Sequence, residues 1–150
     1  MRDSTSENHV LRTERRFSSS PEEIFAAFSQ PETLARWWGP NGFTSTFSTF
    51  EFEEGGSWEF VMHGPDGHDY PNSSVLIKLE AGKLIEIQHV SAPRFKLSIT
   101  LSPVAGGTLV QWIQAFEEPK VVEAIRHIAE PGNEQNLDRL QSLLQGDPNT

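Results

Sequence analysis

The feature of this chain that most constrains its fold is a change in hydrophobic periodicity. From Phe43 onward apolar side chains recur at every second position, as in Trp58, Phe60 and Met62, and glycine-containing turns interrupt the pattern. These turns lie at residues 54–56, 64–67, 81–82 and 105–107. The pattern predicts six consecutive strands, the last four at about 69–80, 83–90, 94–103 and 108–116. Tight turns between successive strands indicate an antiparallel meander, because parallel strands need long crossover connections.

Helical patterns flank these strands on both sides. A first strand is predicted at 10–17, and residues 20–23 then read Ser-Pro-Glu-Glu, a helix start with a capping serine and a capping-box glutamate. A second short helix begins at Pro31 and ends near Trp38. After the strands, Pro119 begins a helical stretch that Pro131-Gly132 is expected to interrupt before a last helix at 133–145.

A long antiparallel sheet and an apolar-faced helix can bury their apolar surfaces together if the sheet curls around the helix. The last helix carries such a face in Leu137, Leu140 and Leu144. We therefore predict an α+β fold of the helix-grip type, with a curved antiparallel sheet wrapped around a long C-terminal helix. One domain is expected at residues 10–145, with flexible tails at 1–9 and 146–150.

Three motifs connect this chain to a known family. They are Trp-Trp-Gly-Pro-Asn-Gly-Phe at 37–43, Gly-Pro-Asp-Gly-His-Asp-Tyr-Pro at 64–71 and Asn-Glu-Gln-Asn-Leu-Asp-Arg-Leu at 133–140. Together they resemble the activator-of-heat-shock-protein-90-ATPase homologue family of the START-like (SRPBCC) superfamily, and the likeness covers about residues 9–145. The resemblance implies the helix-grip (START-like, Bet v-like) fold and an internal cavity. Many relatives carry Trp at the position of Asn133, so this residue is expected to enlarge or polarise one end of the pocket.

Composition narrows the function classes. Twelve basic residues against 21 acidic residues give a net charge of -9, which argues against nucleic acid and against anionic membranes as partners. No stretch approaches the roughly 18 apolar residues of a membrane span. The chain has no cysteine, which excludes disulfides and thiolate chemistry and favours a cytoplasmic location.

Strand alternation and the tryptophan corner predict the residues of a ligand pocket. Its expected apolar walls are Trp58, Phe60, Tyr70, Phe95, Trp112 and Phe116. Its expected polar groups are His89, Gln114 and Asn133, and its entrance is expected at Trp37, Trp38 and Phe43. Other interpretations stay open: the rings can form a solid aromatic core, Asn133 can be a helix N-cap, and His89 can be a hydrogen-bonded core residue.

The sequence contains no recognisable catalytic constellation. His63, His68 and Asp69 could converge at a hairpin, but hairpin tips are usually polar and hydrated, so we predict no metal and no cofactor. The first hypothesis is therefore a protein that binds an apolar or aromatic small molecule. The alternative is a protein-interaction module with a chaperone partner, and the third is a cyclase- or hydrolase-like enzyme that uses the same cavity. Leu109 and Ile113 are expected to face outward and to support a weak homodimer.

Overall fold

The computed structural model describes residues 9–145, which form one sheet, two short helices and one long helix. The strands are β1 (Val10–Phe17), β2 (Thr44–Phe50), β3 (Ser57–His63), β4 (Asp69–Glu80), β5 (Leu84–His89), β6 (Phe95–Val104) and β7 (Gly107–Phe116). The helices are α1 (Pro21–Ala26), α2 (Pro31–Trp37) and α3 (Pro119–Gln145). The predicted tails at 1–9 and 146–150 lie outside the described residues, apart from His9.

The sheet confirms the predicted antiparallel meander. Strands β2 to β7 are hydrogen-bonded in chain order, and β1 joins the far edge, which gives the order β1-β7-β6-β5-β4-β3-β2. Every neighbouring pair is antiparallel. The curved sheet and the long C-terminal helix establish the predicted α+β helix-grip fold.

The start of α1 confirms the predicted capping box. The Ser20 hydroxyl accepts a hydrogen bond from the Glu23 backbone N–H at 3.1 Å, and the Glu23 carboxylate accepts one from the Ser20 backbone N–H at 2.8 Å. These reciprocal bonds satisfy two donors that would otherwise lack partners at a helix N-terminus.

The predicted interruption at Pro131-Gly132 is wrong, because α3 is one helix of 27 residues with Pro131 inside it. A proline in this position costs about 3 kcal/mol, since it has no N–H to donate to the preceding turn. Both halves of the helix nevertheless pack against the sheet, where Val122, Leu137 and Leu140 are fully buried. Burying each such side chain contributes about 1.5–3 kcal/mol, which is enough together to offset the proline.

Buried apolar side chains form two clusters beneath the sheet. The larger one joins the inner face of the sheet to α1, α2 and the C-terminal half of α3, and it includes the fully buried Trp37 and Trp58. The smaller one contains Leu11, Phe116 and Val122, from β1, β7 and the start of α3. None of the described helices has the length and the apolar stretch that crossing a membrane requires.

Candidate functional site

A cavity of about 250 Å³ lies between the inner face of the sheet and α3. Its main apolar walls are Trp38, Phe60, Ile87, Phe95, Leu97 and Trp112. Its polar side chains are Asn72, Ser74, His89, Gln114, Asn133 and Asn136. No Asp, Glu, Lys or Arg is among the described residues that line it. The arrangement is therefore an apolar space with uncharged hydrogen-bonding groups, as is usual for small-molecule sites.

Two carboxamides that line the cavity are hydrogen-bonded to each other. The Asn133 side-chain NH₂ on α3 donates to the Gln114 side-chain oxygen on β7 at 3.0 Å. Asn133 lies inside the continuous helix, so the alternative of a helix N-cap is wrong. The strand alternation places Gln114 on the same face as Trp112, two residues earlier. The two polar residues that interrupt apolar faces in the sequence thus meet in the structure.

His89 ends β5 and is only 7% exposed. Its Nδ1 lies 2.8 Å from the Pro93 carbonyl oxygen and its Nε2 lies 2.6 Å from the Asn72 side-chain oxygen. Its ring stacks on Phe95 with the ring centres 4.5 Å apart. Burial lowers the pKa of His89, and the charge of Arg94 acts in the same direction, whereas the bonds to the Pro93 and Ser91 backbone oppose the shift.

The ring of His89 is thus expected to be neutral at pH 7, with its single proton on Nδ1 donated to Pro93. The Asn72 amide then has two possible roles. It donates its NH₂ to the Tyr70 carbonyl at 2.7 Å in the orientation described, which presents oxygen to His89. The opposite amide orientation presents NH₂ to the neutral Nε2 instead and gives up the bond to Tyr70. Asn72 can therefore satisfy either protonation state of His89.

Trp112 supplies the buried wall opposite α3. It is 2% exposed, and its indole N–H has no hydrogen-bond partner among the described residues. An unpaired buried donor costs about 1–3 kcal/mol, so native proteins seldom leave one without a compensating group. This indole N–H belongs to a residue that lines the cavity.

The corner after α2 is held by side chains of α3. Asn136, which is buried, donates to the Trp37 carbonyl at 2.7 Å. The Arg139 guanidinium donates to the carbonyls of Trp38, Gly39 and Pro40 at 3.3, 3.0 and 2.9 Å. These bonds satisfy carbonyl groups that the end of a helix leaves without partners. They also fix Trp38 and Gly39, both of which line the cavity.

Seven of the twelve predicted pocket residues line this cavity: Trp38, Phe60, His89, Phe95, Trp112, Gln114 and Asn133. Three others lie in the packed core instead. Trp37 is fully buried against Phe28, with ring centres 4.9 Å apart, and its indole N–H donates to the Ala27 carbonyl. Trp58 is also fully buried. Phe116 also points inward, but it packs in the smaller cluster with Leu11 and Val122 and does not line the cavity.

Phe43 and Tyr70 lie outside the cavity, near the β3–β4 turn. Tyr70 is 43% exposed, and its hydroxyl donates to the Asp66 carboxylate at 3.1 Å. That bond raises the pKa of Tyr70. The pKa of Asp66 is lowered mainly by the hydrogen bond that its carboxylate accepts from the His68 backbone N–H, and the Tyr70 hydroxyl adds to this shift. The Phe43 ring lies 6.0 Å from that of Tyr70. The expected entrance and wall positions of these two residues are therefore wrong.

Sequence reasoning missed three polar residues of the cavity: Asn72, Ser74 and Asn136. The signal for the first two was available, because stepping back by twos from the buried Leu76 leads to Ser74 and Asn72 on the same face of β4. Asn136 directly precedes Leu137, a predicted apolar position. Because Asn136 is polar, the hydrophobic pattern gives no sign that it is buried.

The hairpin histidines do not converge. His63 lies 2.8 Å from both Thr46 and Asp69, whereas His68 pairs with Asp66 at 3.0 Å. In the described part of the chain, no group of three or more His, Cys, Asp or Glu side chains could hold a metal ion.

Comparison with known proteins adds a family and a set of similar structures. A family model described as Activator of Hsp90 ATPase homolog 1-like protein matches residues 18–145. A comparison with curated proteins finds no match.

Similar solved structures share this fold at low sequence identity. The solution structure of a protein from Arthrobacter aurescens has 23% identity and a TM-score of 0.85, covering 97% of this chain and 90% of that chain. A crystal structure of a protein from Nitrosomonas europaea has 18% identity and a TM-score of 0.84, covering 94% and 97%. The AHSA1 protein from Silicibacter pomeroyi has 23% identity and a TM-score of 0.74, covering 91% and 97%.

Proposed function

Because the chain belongs to the Activator of Hsp90 ATPase homolog 1-like family and contains an uncharged, mainly apolar cavity, we propose that it binds a small apolar or aromatic molecule there. The observation that carries this proposal is the cavity of about 250 Å³, lined by aromatic rings and uncharged amides, whose wall residue Trp112 has a buried indole N–H with no partner among the described residues. A ligand in this space would regain packing contacts for the aromatic walls and could supply a partner to that donor.

The test is a titration of ¹⁵N-labelled protein with indane, an apolar two-ring hydrocarbon. We expect saturable shifts of backbone signals at cavity residues such as Leu97 and Trp112, and weaker effects at the β2–β3 turn. Native mass spectrometry of freshly purified protein is the companion measurement, since a copurified molecule would show its mass directly.

A matched pair of variants connects binding to the cavity. Ser74 is 4% exposed and lines the cavity, so Ser74→Leu would fill part of it and should abolish indane binding. Ser73 precedes it on the opposite face of β4, where its hydroxyl donates to Glu59, so Ser73→Leu should leave binding unchanged. Equal binding by both variants, or no shift at the cavity in the wild type, would contradict the proposal.

A protein-interaction role is the alternative proposal, motivated by the Hsp90 ATPase activator in the family description. A groove of about 500 Å³ between α2 and α3 supports it, with Ala35, Arg36, Arg139 and Leu143 among its walls. The test is the ATPase rate of such a chaperone with and without this protein. Stimulation by the wild type that Arg36→Glu removes would favour this role. The cytoplasmic location stays a prediction from composition.

A further inference from the structure

The cavity contains more hydrogen-bonding capacity than the protein itself uses. Among the described residues, the Trp112 indole N–H has no hydrogen-bond partner, and the side-chain amides of Asn133 and Gln114 are hydrogen-bonded only to each other. The contact uses the NH₂ of Asn133 and the oxygen of Gln114. The NH₂ of Gln114 and the oxygen of Asn133 are therefore left for another molecule.

This conclusion does not depend on which way the two amides are turned. If both are rotated by half a turn, Gln114 donates to Asn133, and the unused groups become the Gln114 oxygen and the Asn133 NH₂. Either arrangement leaves one donor and one acceptor on two lining residues that are hydrogen-bonded to each other. The Trp112 indole adds a donor two residues before Gln114 on the same face of β7.

The walls also discriminate against charge. No Asp, Glu, Lys or Arg is among the described lining residues, so a charged ligand would have no counter-ion. His89 is the titratable lining residue, and burial lowers its pKa, which keeps it neutral at pH 7. Burying an unpaired charge is far more costly than burying a neutral polar group with partners.

The volume sets the size of the ligand. An apolar cavity of about 150 Å³ is known to hold benzene, so about 250 Å³ corresponds to about ten non-hydrogen atoms. That is a small two-ring molecule. Its flat faces would lie against Trp38, Phe95 and Trp112.

We propose that the cavity selects neutral, planar two-ring molecules that carry a hydrogen-bond acceptor directly beside a donor, as a lactam does. This inference rests on the proposed small-molecule function and names the ligand class for the same site. The carbonyl oxygen accepts from the Trp112 indole or the Gln114 amide. The neighbouring N–H donates to the Asn133 amide oxygen.

Four probes of similar size test the inference. Oxindole has a carbonyl beside an N–H, 1-indanone has a fused six- and five-membered ring of the same size with a carbonyl but no N–H, indane has neither, and benzoate carries a charge. We expect oxindole to bind about tenfold more tightly than 1-indanone, as one added hydrogen bond allows. Indane should bind more weakly than 1-indanone, and benzoate the most weakly of the four.

The tryptophan indole N–H signals in ¹⁵N-labelled protein give a direct readout. The Trp112 signal, assigned from the spectrum of Trp112→Phe, should move on addition of oxindole or 1-indanone and much less with indane. Trp58→Phe is the matched control, because the buried indole N–H of Trp58 also has no partner in the described part of the chain, but Trp58 does not line the cavity. It should leave all four affinities unchanged.

Asn133→Leu removes the proposed acceptor and should bring oxindole to within about twofold of 1-indanone. If this variant does not fold, the wild-type series alone decides the matter. Oxindole binding no tighter than 1-indanone or indane overturns the inference but leaves the proposed function standing, and so does benzoate binding most tightly. If none of the four probes binds, both proposals fall.

Discussion

Two tryptophans on the inner face of the same sheet show how differently its two ends are packed. Trp58 on β3 lies among rings: the centres of Phe50, Trp38 and Phe47 are 5.3, 5.8 and 6.1 Å away. Trp112 on β7 has its ring centre 6.0 Å from that of Trp38 and lines the cavity. Both are almost completely buried. Burial alone therefore does not distinguish a solid core from a cavity wall.

The difference comes from the elements that face each end of the sheet. Strand β2 contributes Phe47 and Phe50 to the end around Trp58, and α1 contributes Phe25, whose ring lies 5.4 Å from that of Phe52. The end around Trp112 is covered by α3, which contributes the short amides Asn133 and Asn136 there. Amides are too short to fill the space that rings fill at the other end, and a cavity results.

The largest effect should come from removing each tryptophan in turn. Trp58→Ala should cost about 3–5 kcal/mol of unfolding free energy, since it removes a ring that is packed on all sides. Trp112→Ala should cost at least 1 kcal/mol less, because part of that ring already faces empty space. Urea unfolding followed by circular dichroism measures both.

Trp112→Ala should also abolish binding of indane or broaden the set of accepted molecules. Outright unfolding of this variant, together with a wild type that binds no apolar probe, would show that the two ends are equally solid. A solid aromatic core would then explain all the rings.

The two asparagines of α3 separate a structural from a cavity role. Asn136→Leu should cost about 1–3 kcal/mol, because it leaves the Trp37 carbonyl buried without its donor. Asn133→Leu should cost less, since Asn133 is only partly buried and its partner Gln114 lines the cavity. Chemical denaturation of the pair tests the order, and an equal loss for both would mean that the cavity end is as tightly packed as the corner.

Two glycines with positive φ provide a smaller test. Gly39 (φ 101°) lines the cavity, and a Cβ there would lie 2.6 Å from the Met62 methyl group. Gly55 (φ 84°) lies in the β2–β3 turn, where a Cβ would meet nothing within 4 Å. Alanine at either position costs about 1–2 kcal/mol from the backbone alone.

Gly39→Ala should therefore be the more destabilising variant, and it should shift the Met62 methyl signal. If the two alanines cost the same, Met62 moves aside freely, and the cavity end has room to absorb the added atom.

Acidification should weaken the cavity end through His89. Its pKa is lowered in the folded state, so below the ordinary histidine pKa of about 6.5 the unfolded chain binds the proton more readily. The contribution of neutral His89 to stability is thus fully present above about pH 6.5, and it is lost as the pH decreases from there towards the lowered pKa of the folded state. His89→Gln should lose less stability than the wild type between pH 7.5 and 5.5 in urea titrations. An equal loss would place the acid sensitivity elsewhere.

Much of this architecture could be predicted from the sequence, because alternation and turns are local signals. Val110, Trp112 and Gln114 point inward as predicted, and the Ser20 capping box forms. Alternation fixes which face a side chain occupies, but it does not tell what else fills the space. Alternation alone therefore predicts Trp58 as a cavity wall, although rings from β2 surround it.

The remaining errors arise from long-range packing. The helix continues through Pro131 because Val122 and Leu137, on either side of it, are both buried against the sheet. Tyr70 has the parity of an inward residue, yet it lies where the β3–β4 hairpin is exposed, and its hydroxyl bonds to Asp66. Neither fact follows from a window of neighbouring residues.

The smallest effect is expected on the outer face of the strand that carries Trp112. Leu109 and Ile113 are partly exposed there, and their cross-strand neighbours are polar: Arg16 and Ser102 beside Leu109, Arg12 and Ser98 beside Ile113. Two apolar side chains in polar surroundings bury little area on association, so any homodimer through them should be weak. Light scattering at high micromolar concentration should detect it.

Changing both residues to Thr keeps a good strand former, so it should remove the dimer and change the unfolding free energy by no more than about 0.5 kcal/mol. A wild type that stays monomeric at these concentrations would refute the dimer. A large loss of stability in the double variant would instead mean that the outer face of β7 contributes to the fold as its inner face does.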